Sequence, residues 1–370
     1  MGKWLWAVVA AVLLLSIPVL RVHAEGAEAA VLLEANTGCV LSEDNAQTPV
    51  DPAAFSKLMT AYLAARAIES GEFSEETVLT AGESVRGMKG AVIWLEPGDP
   101  VTVSDLLAAL IVGNANDAAA VLADEISGDA AHFVMDMNAA AFDLGMRDTR
   151  FTSPQGFEDE NARTTAMDLG KLACAVLKCK VLRPYLATWR TFVKDETVEL
   201  VNENTLTRTY DGCLGLKAIR TGEAYSLIAA AERDGMICTA VVLHCADKDE
   251  RFVIAKQLLS DGFSGYKTAA PAYAEEFLVP LRIRGGTEQA VLLKLTELPV
   301  LAIPKSARIT SVTVLPDFRQ APVREGTRVG TVYFYMDDTL LAQAGLCAAQ
   351  DVPEMCFSSA KSRVLRAFTS

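Results

Sequence analysis

The sequence predicts an α/β fold, an antiparallel sheet flanked by helices, followed by a small all-β domain. Three observations predict it. Helical and strand patterns alternate from residue 29 to about residue 266. Two apolar runs, 225–232 and 236–245, flank Arg233-Asp234-Gly235, a hairpin signal that makes the two strands antiparallel neighbours. Beyond Tyr266 the pattern turns β-rich over 291–295, 309–315 and 329–336, punctuated by Gly285-Gly286, Pro304 and Pro316.

Each element has its local reason. Ala30-Val31-Leu32-Leu33 reads as a strand and Asn36-Thr37-Gly38 as the turn after it. Residues 54–69 read as a helix, with Phe55, Leu58, Met59, Tyr62 and Leu63 recurring at helical spacing. Two more helices, 104–112 and 116–126, break near Gly113, and another over 132–144 stops at Gly145. The N-terminus has the three parts of an export signal: Lys3, an apolar run over 4–20, and small residues before a cleavage point after Ala24. An uncleaved membrane anchor is the alternative. At the other end, Phe357, Val364, Leu365 and Phe368 alternate with Lys361, Arg363 and Arg366. That stretch, 357–368, suits either contact with an anionic membrane surface or a solvated terminus. The expected divisions are a signal peptide (1–24), an α/β domain (25–268), a β-rich domain (269–352) and a short basic tail (353–370).

A formal net charge of -13 argues against nucleic acid as a partner, because phosphate binding needs a basic surface. The eight cysteines include no CxxC pair, and the Cys174–Cys179 spacing fits no common zinc site. They read mostly as buried small hydrophobes, with disulfides the alternative in an exported chain. After cleavage only His132 and His244 remain. Both lie in apolar stretches and are expected in the core, which leaves a Ser-His-Asp mechanism poorly supplied. No metal or cofactor is implied.

Acyl transfer without histidine has another solution. A serine attacks and a lysine one helical turn later takes its proton, because residues i and i+3 share a helix face. An S-x-N motif and a K-T-G strand complete such a site. The segment Asp51-Pro52-Ala53-Ala54-Phe55-Ser56-Lys57-Leu58-Met59-Thr60 resembles the nucleophile helix of the D-alanyl-D-alanine carboxypeptidases, low-molecular-mass penicillin-binding proteins with the pattern P-A-S-x-T-K-x-M-T. Pro52, Ala53, Lys57, Met59 and Thr60 match in register. Ala54 stands where the serine belongs. Gly113-Asn114-Ala115-Asn116-Asp117-Ala118-Ala119 is similar to the family's S-A-N-D-A-A block, with Asn116 matching and Asn114 replacing the serine. Gly215-Leu216-Lys217-Ala218-Ile219 falls at G-L-K-T-G and keeps only Lys217 of the last three. Leu95-Glu96-Pro97-Gly98-Asp99 and Pro154-Gln155-Gly156 extend the likeness, and the β-rich tail resembles the family's C-terminal domain.

The resemblance implies a β-lactamase-like α/β domain, an all-β C-terminal domain, an extracytoplasmic location in the cell envelope, and peptidoglycan stem peptides or a cell-wall protein as partners. It assigns catalysis to Lys57 and Asn116 and substrate binding to Lys217 and Asn114. The departures argue against turnover. Ala54 has no nucleophilic atom. Asn114 can hydrogen-bond but cannot shuttle a proton as a hydroxyl can. Ile219 is expected to narrow the cleft. A pseudoenzyme is therefore the expected reading. One alternative is a working enzyme using Ser56, Thr60 or a shifted Thr221-Gly222. Another is a structural cell-wall interaction module whose C-terminal domain carries the interaction, with cleft residues free to change. The retained Lys57, Asn116 and Lys217 also admit a bland reading as a hydrogen-bonded structural network, Asn116 serving a lysine.

Overall fold

The computed structural model describes residues 26–356 except 272, 274–277, 297 and 337. The expected signal peptide (1–24) and the amphipathic stretch 357–368 lie outside the described residues. The described chain divides into two compact units, one ending at Lys267 and one beginning at Thr268.

In the first unit the elements run β1 (Ala29–Glu34), β2 (Cys39–Asp44), α1 (Ser56–Ser70), β3 (Val78–Thr80), β4 (Pro100–Thr102), α2 (Val103–Ile111), α3 (Asn116–Ser127), α4 (Ala130–Asp143), α5 (Ala166–Lys178), α6 (Arg183–Ala187), β5 (Arg190–Val193), β6 (Val198–Val201), α7 (Leu206–Thr209), β7 (Cys213–Thr221), β8 (Ala224–Arg233), β9 (Met236–Cys245) and α8 (Glu250–Gly265). The main sheet is antiparallel, in the order β2-β1-β9-β8-β7, so β7 is an edge strand. Its central hairpin turns where the sequence placed it. Arg233 pairs with Met236, and Asp234 (φ 50°) and Gly235 (φ 76°) supply the two positive dihedrals a tight turn of this hand needs.

Helices cover both sheet faces, and two glycines show how closely. A Cβ on Gly170 of α5 would lie 2.4 Å from Leu33, while one on Gly262 of α8 would lie 2.9 Å from Cys238 and 3.0 Å from Leu32. Leu32 and Leu33 are successive residues of β1 and so point to opposite faces. Helix α5 therefore packs on one face and α8 on the other, and a side chain at either glycine would force its strand neighbours to shift.

Helix ends follow their residues. Thr102, Asp129 and Thr165 cap α2, α4 and α5, each side chain accepting an N–H three residues on. Gly71 (φ 82°) and Gly128 (φ 83°) end α1 and α3 in the left-handed conformation.

The histidines depart from expectation. His132 is exposed beside Asp129, 2.9 Å from its carboxylate, and His244 reaches Glu28 at 2.7 Å. Phe133 beside His132, and Leu243 and Cys245 beside His244, are buried, while each imidazole reaches a carboxylate. Cys174, Cys179, Cys238, Cys245 and Cys347 are buried free thiols. Burial pushes Cys174 and Cys238 up to about 12, which leaves them as small hydrophobes.

The second unit is all β. One antiparallel sheet runs Leu293–Leu295, Thr339–Ala348, Arg328–Met336, Ile309–Val314. A second sheet joins Ala290–Val291, Leu281–Arg284 and Arg319–Gln320. Val291, Val332, Phe334, Leu346 and Val352 close a separate core. The chain stays bonded to this unit as far as Met355, whose N–H donates to Gly285 O.

Candidate active site

The chain enters α1 through a strained turn. Asp51 accepts a hydrogen bond from Ala53 N at 2.8 Å, and Ala53 sits at φ 44°, a conformation L-residues rarely adopt. Ala53–Phe55 forms a single 3₁₀ turn before Ser56 opens the α-helix. The turn is pressed from outside by Gly156 (φ 76°), where a Cβ would stand 1.7 Å from Ala53 O. Glycine there is a steric requirement of the site.

Ala54 and Lys57, three residues apart, face one pocket of about 410 Å³. Asn114, Asn116, Gln155, Phe157, Arg220 and Thr221 help to line it. This size suits a small ligand or the end of a peptide. Asp51 and Glu158 add carboxylates to the wall. Burial pushes Asp51 above the usual carboxylate range, against the N–H of Ala53, which pulls it down.

The two lysines behave alike. Lys57 is buried and donates to Gln155 O at 2.8 Å. Desolvation, and then the neighbouring Lys217 charge, holds it well below its ordinary value. Lys217 is buried behind the pocket, outside its lining, and donates to Leu110 O (3.0 Å) and Ile111 O (3.3 Å) at the C-terminal end of α2. Burial pulls it down to about 7, with Glu203 working the other way. A lysine whose charged form burial disfavours is suited to take a proton, but Ala54, one turn earlier, offers it no hydroxyl.

The expected single network is absent among the described residues. Asn116 Nδ2 donates to Lys89 O at 2.7 Å and serves neither lysine. Each retained motif residue instead binds backbone carbonyls of a different segment. Thr60 donates to Pro154 O at 2.8 Å, and neither it nor Ser56 lines the pocket. Ile219 joins the core and leaves the pocket open, because Arg220, Thr221 and Gly222 form that wall. Asn114 and Thr221 line the pocket, and their side-chain oxygens, Asn114 Oδ1 and Thr221 Oγ1, are buried atoms without a hydrogen-bond partner. Asn114 also holds φ 59°, tolerable for asparagine and costly for most other side chains.

Sequence reasoning passed over Asp51, Phe157, Glu158 and Arg220, which carry no spacing signal. It also passed over Asp117, a buried carboxylate beside Asn116 that accepts from Ile93 N (3.0 Å) and Leu95 N (3.1 Å). An acidic residue next to a motif asparagine at a helix start was the available clue.

The model of a family described as D-alanyl-D-alanine carboxypeptidase matches residues 20–247, and one described as the penicillin-binding protein 5 C-terminal domain matches 281–354. The D-alanyl-D-alanine carboxypeptidase DacF of Bacillus subtilis is 29% identical over 354 residues, 94% of this chain and 91% of its own. The crystal structure of penicillin binding protein 5 from Haemophilus influenzae superposes with a TM-score of 0.78 at 27% identity, covering 89% of this chain and 98% of that one. Penicillin-binding protein D2 from Listeria monocytogenes, solved in an ampicillin-bound form, is 29% identical with a TM-score of 0.58, over 64% of this chain and 98% of its own.

Proposed function

Since the chain belongs to the D-alanyl-D-alanine carboxypeptidase family, we propose that it is an exported, catalytically silent member that holds peptidoglycan stem peptides in the pocket without cleaving them. One observation carries the reading. Ala54 occupies the pocket wall one helical turn before Lys57, so the lysine amine meets no oxygen there to activate. Losing a catalytic serine costs on the order of 10⁶ in rate. Features that would hold a peptide end remain: an open pocket with the cationic Arg220 in its lining, and Asn114 and Thr221, whose side-chain oxygens have no hydrogen-bond partner.

A second reading, an active enzyme using another hydroxyl, rests on Thr221. It is the one hydroxyl-bearing residue in the described pocket lining, and its oxygen is unbonded. Ser56 and Thr60 lend this reading no support, since both lie outside the pocket.

Covalent labelling separates the two. The mature chain is incubated with a fluorescent penicillin and its intact mass recorded, with Ala54→Ser in parallel. The expected result is no adduct on the native chain and a single adduct on the variant. A stoichiometric adduct on the native chain overturns the silent reading, and the labelled peptide identifies the nucleophile.

A further inference from the structure

Trp94 is an exposed indole held in a strained conformation by the same motif that lines the pocket. It is 69% exposed and sits at φ 56°, unusual for a bulky side chain. Its neighbours explain the outward position. Ile93 and Leu95 are buried, and both give their N–H groups to the Asp117 carboxylate, so the intervening residue is thrown outward. On the other side Lys194 Nζ donates to Trp94 O at 2.9 Å and lies 3.5 Å from Asp99.

The segment before Trp94 is strapped to the start of α3 as well. Asn116 Nδ2 donates to Lys89 O, and Asn116 N donates to Ala91 O at 2.7 Å. Gly90 (φ 87°) lets that side chain pass, since a Cβ there would lie 2.8 Å from Asn116 Nδ2. Asn116 and Asp117 together therefore fix 89–95 at four backbone groups. Ala91, three residues before Trp94, lines the pocket. Successive Cα atoms are about 3.8 Å apart, so the indole's backbone lies within roughly 11 Å of that wall.

The exposed indole stands on a strained backbone fixed from both sides and presents aromatic surface to solvent. It suits a ligand with one apolar face and a polar rim, and the ring of an amino sugar is such a ligand. The proposed occupant of the pocket arrives with one attached. A stem of about five residues spans at most roughly 17 Å, which brings its glycan within reach of Trp94.

We infer that Trp94 is a stacking platform for a sugar ring of the glycan strand that carries the bound stem peptide. The inference rests on the stem-peptide reading of the pocket and extends it to the saccharide. Calorimetric titration tests it with two probes, a disaccharide-pentapeptide fragment and the free pentapeptide, on the native chain, Trp94→Ala and Trp94→Phe. The expected result is about tenfold tighter binding of the glycan-bearing fragment by the native chain. Trp94→Ala erases that difference without changing pentapeptide affinity, and Trp94→Phe keeps part of it. Equal affinity of the native chain for both probes overturns the platform and leaves the stem-peptide reading standing. So does equal weakening of both probes by Trp94→Ala, which marks a structural role. Binding of neither probe overturns platform and pocket reading together.

Discussion

Lys217 is the residue whose chemistry the fold alters most legibly. It titrates near 7 when folded, against about 10.4 for a free lysine. Between those values the unfolded chain binds more protons, so stability rises with pH; it is lost as pH falls through 7. The buried thiols, raised when folded, work oppositely once unfolded cysteines ionise above about 8.5. The lysine effect is therefore cleanest between pH 7 and 8.5. Replacing Lys217 with Met is expected to remove roughly 1–2 kcal/mol of the rise across that window. Parallel thermal unfolding of both chains across that range checks this. A residual rise is expected from Lys57, which is shifted in the same direction. At Gly156 a methyl group meets Ala53 O, in a conformation only glycine tolerates well. Gly156→Ala is expected to cost about 1–3 kcal/mol. In the Ala54→Ser background it should abolish the penicillin adduct, read by intact mass.

At the scale of elements, the start of α3 is a fastener. Family resemblance gives Asn116 a catalytic role, yet here its amide and the Asp117 carboxylate hold 89–95 through the backbone. Asp117→Asn replaces a charge-assisted acceptor with a neutral one, a loss of about 1.5–3 kcal/mol. Amide exchange at Ile93 and Leu95 should then accelerate well beyond that of the α5 core. Uniform acceleration across the first unit would mean that the carboxylate supports the whole domain rather than this segment. β7 makes a related point. Its edge position lets the chain beyond Ile219 supply Arg220, Thr221 and Gly222 to the pocket, although Ala218 and Ile219 replace the threonine and glycine of the family pattern.

At the scale of the whole molecule, each unit has a hydrophobic cluster of its own among the described residues. The main cluster draws only on residues between Ala29 and Leu243, while Val291, Val332, Phe334 and Leu346 close another. A chain ending at Lys267 is therefore expected to unfold cooperatively and, as Ala54→Ser, to keep its penicillin adduct. A molten near-ultraviolet spectrum for that fragment would show that the first unit depends on the second. The acidic balance, -13 overall, is a property of the entire chain and sets solubility rather than specificity.

The sequence by itself determined the sheet's central hairpin, the helices around the motifs, the β-rich second unit and the alanine standing where the family pattern has serine. Those signals are local: a turn dipeptide, an apolar period, an absent hydroxyl at a fixed spacing. It missed the strands Leu281–Arg284, Leu301–Pro304 and Thr339–Ala348, where apolar runs are short or interrupted. Only the tertiary structure decided the partners of Lys57, Asn116 and Lys217, each of which bonds a carbonyl far along the chain rather than another motif residue. It alone took both histidines out of the core and moved Ile219 into it. It alone turned Trp94 outward. Hydrogen-bond partners and facing walls depend on which distant segments meet, and no spacing within a strand or helix encodes that.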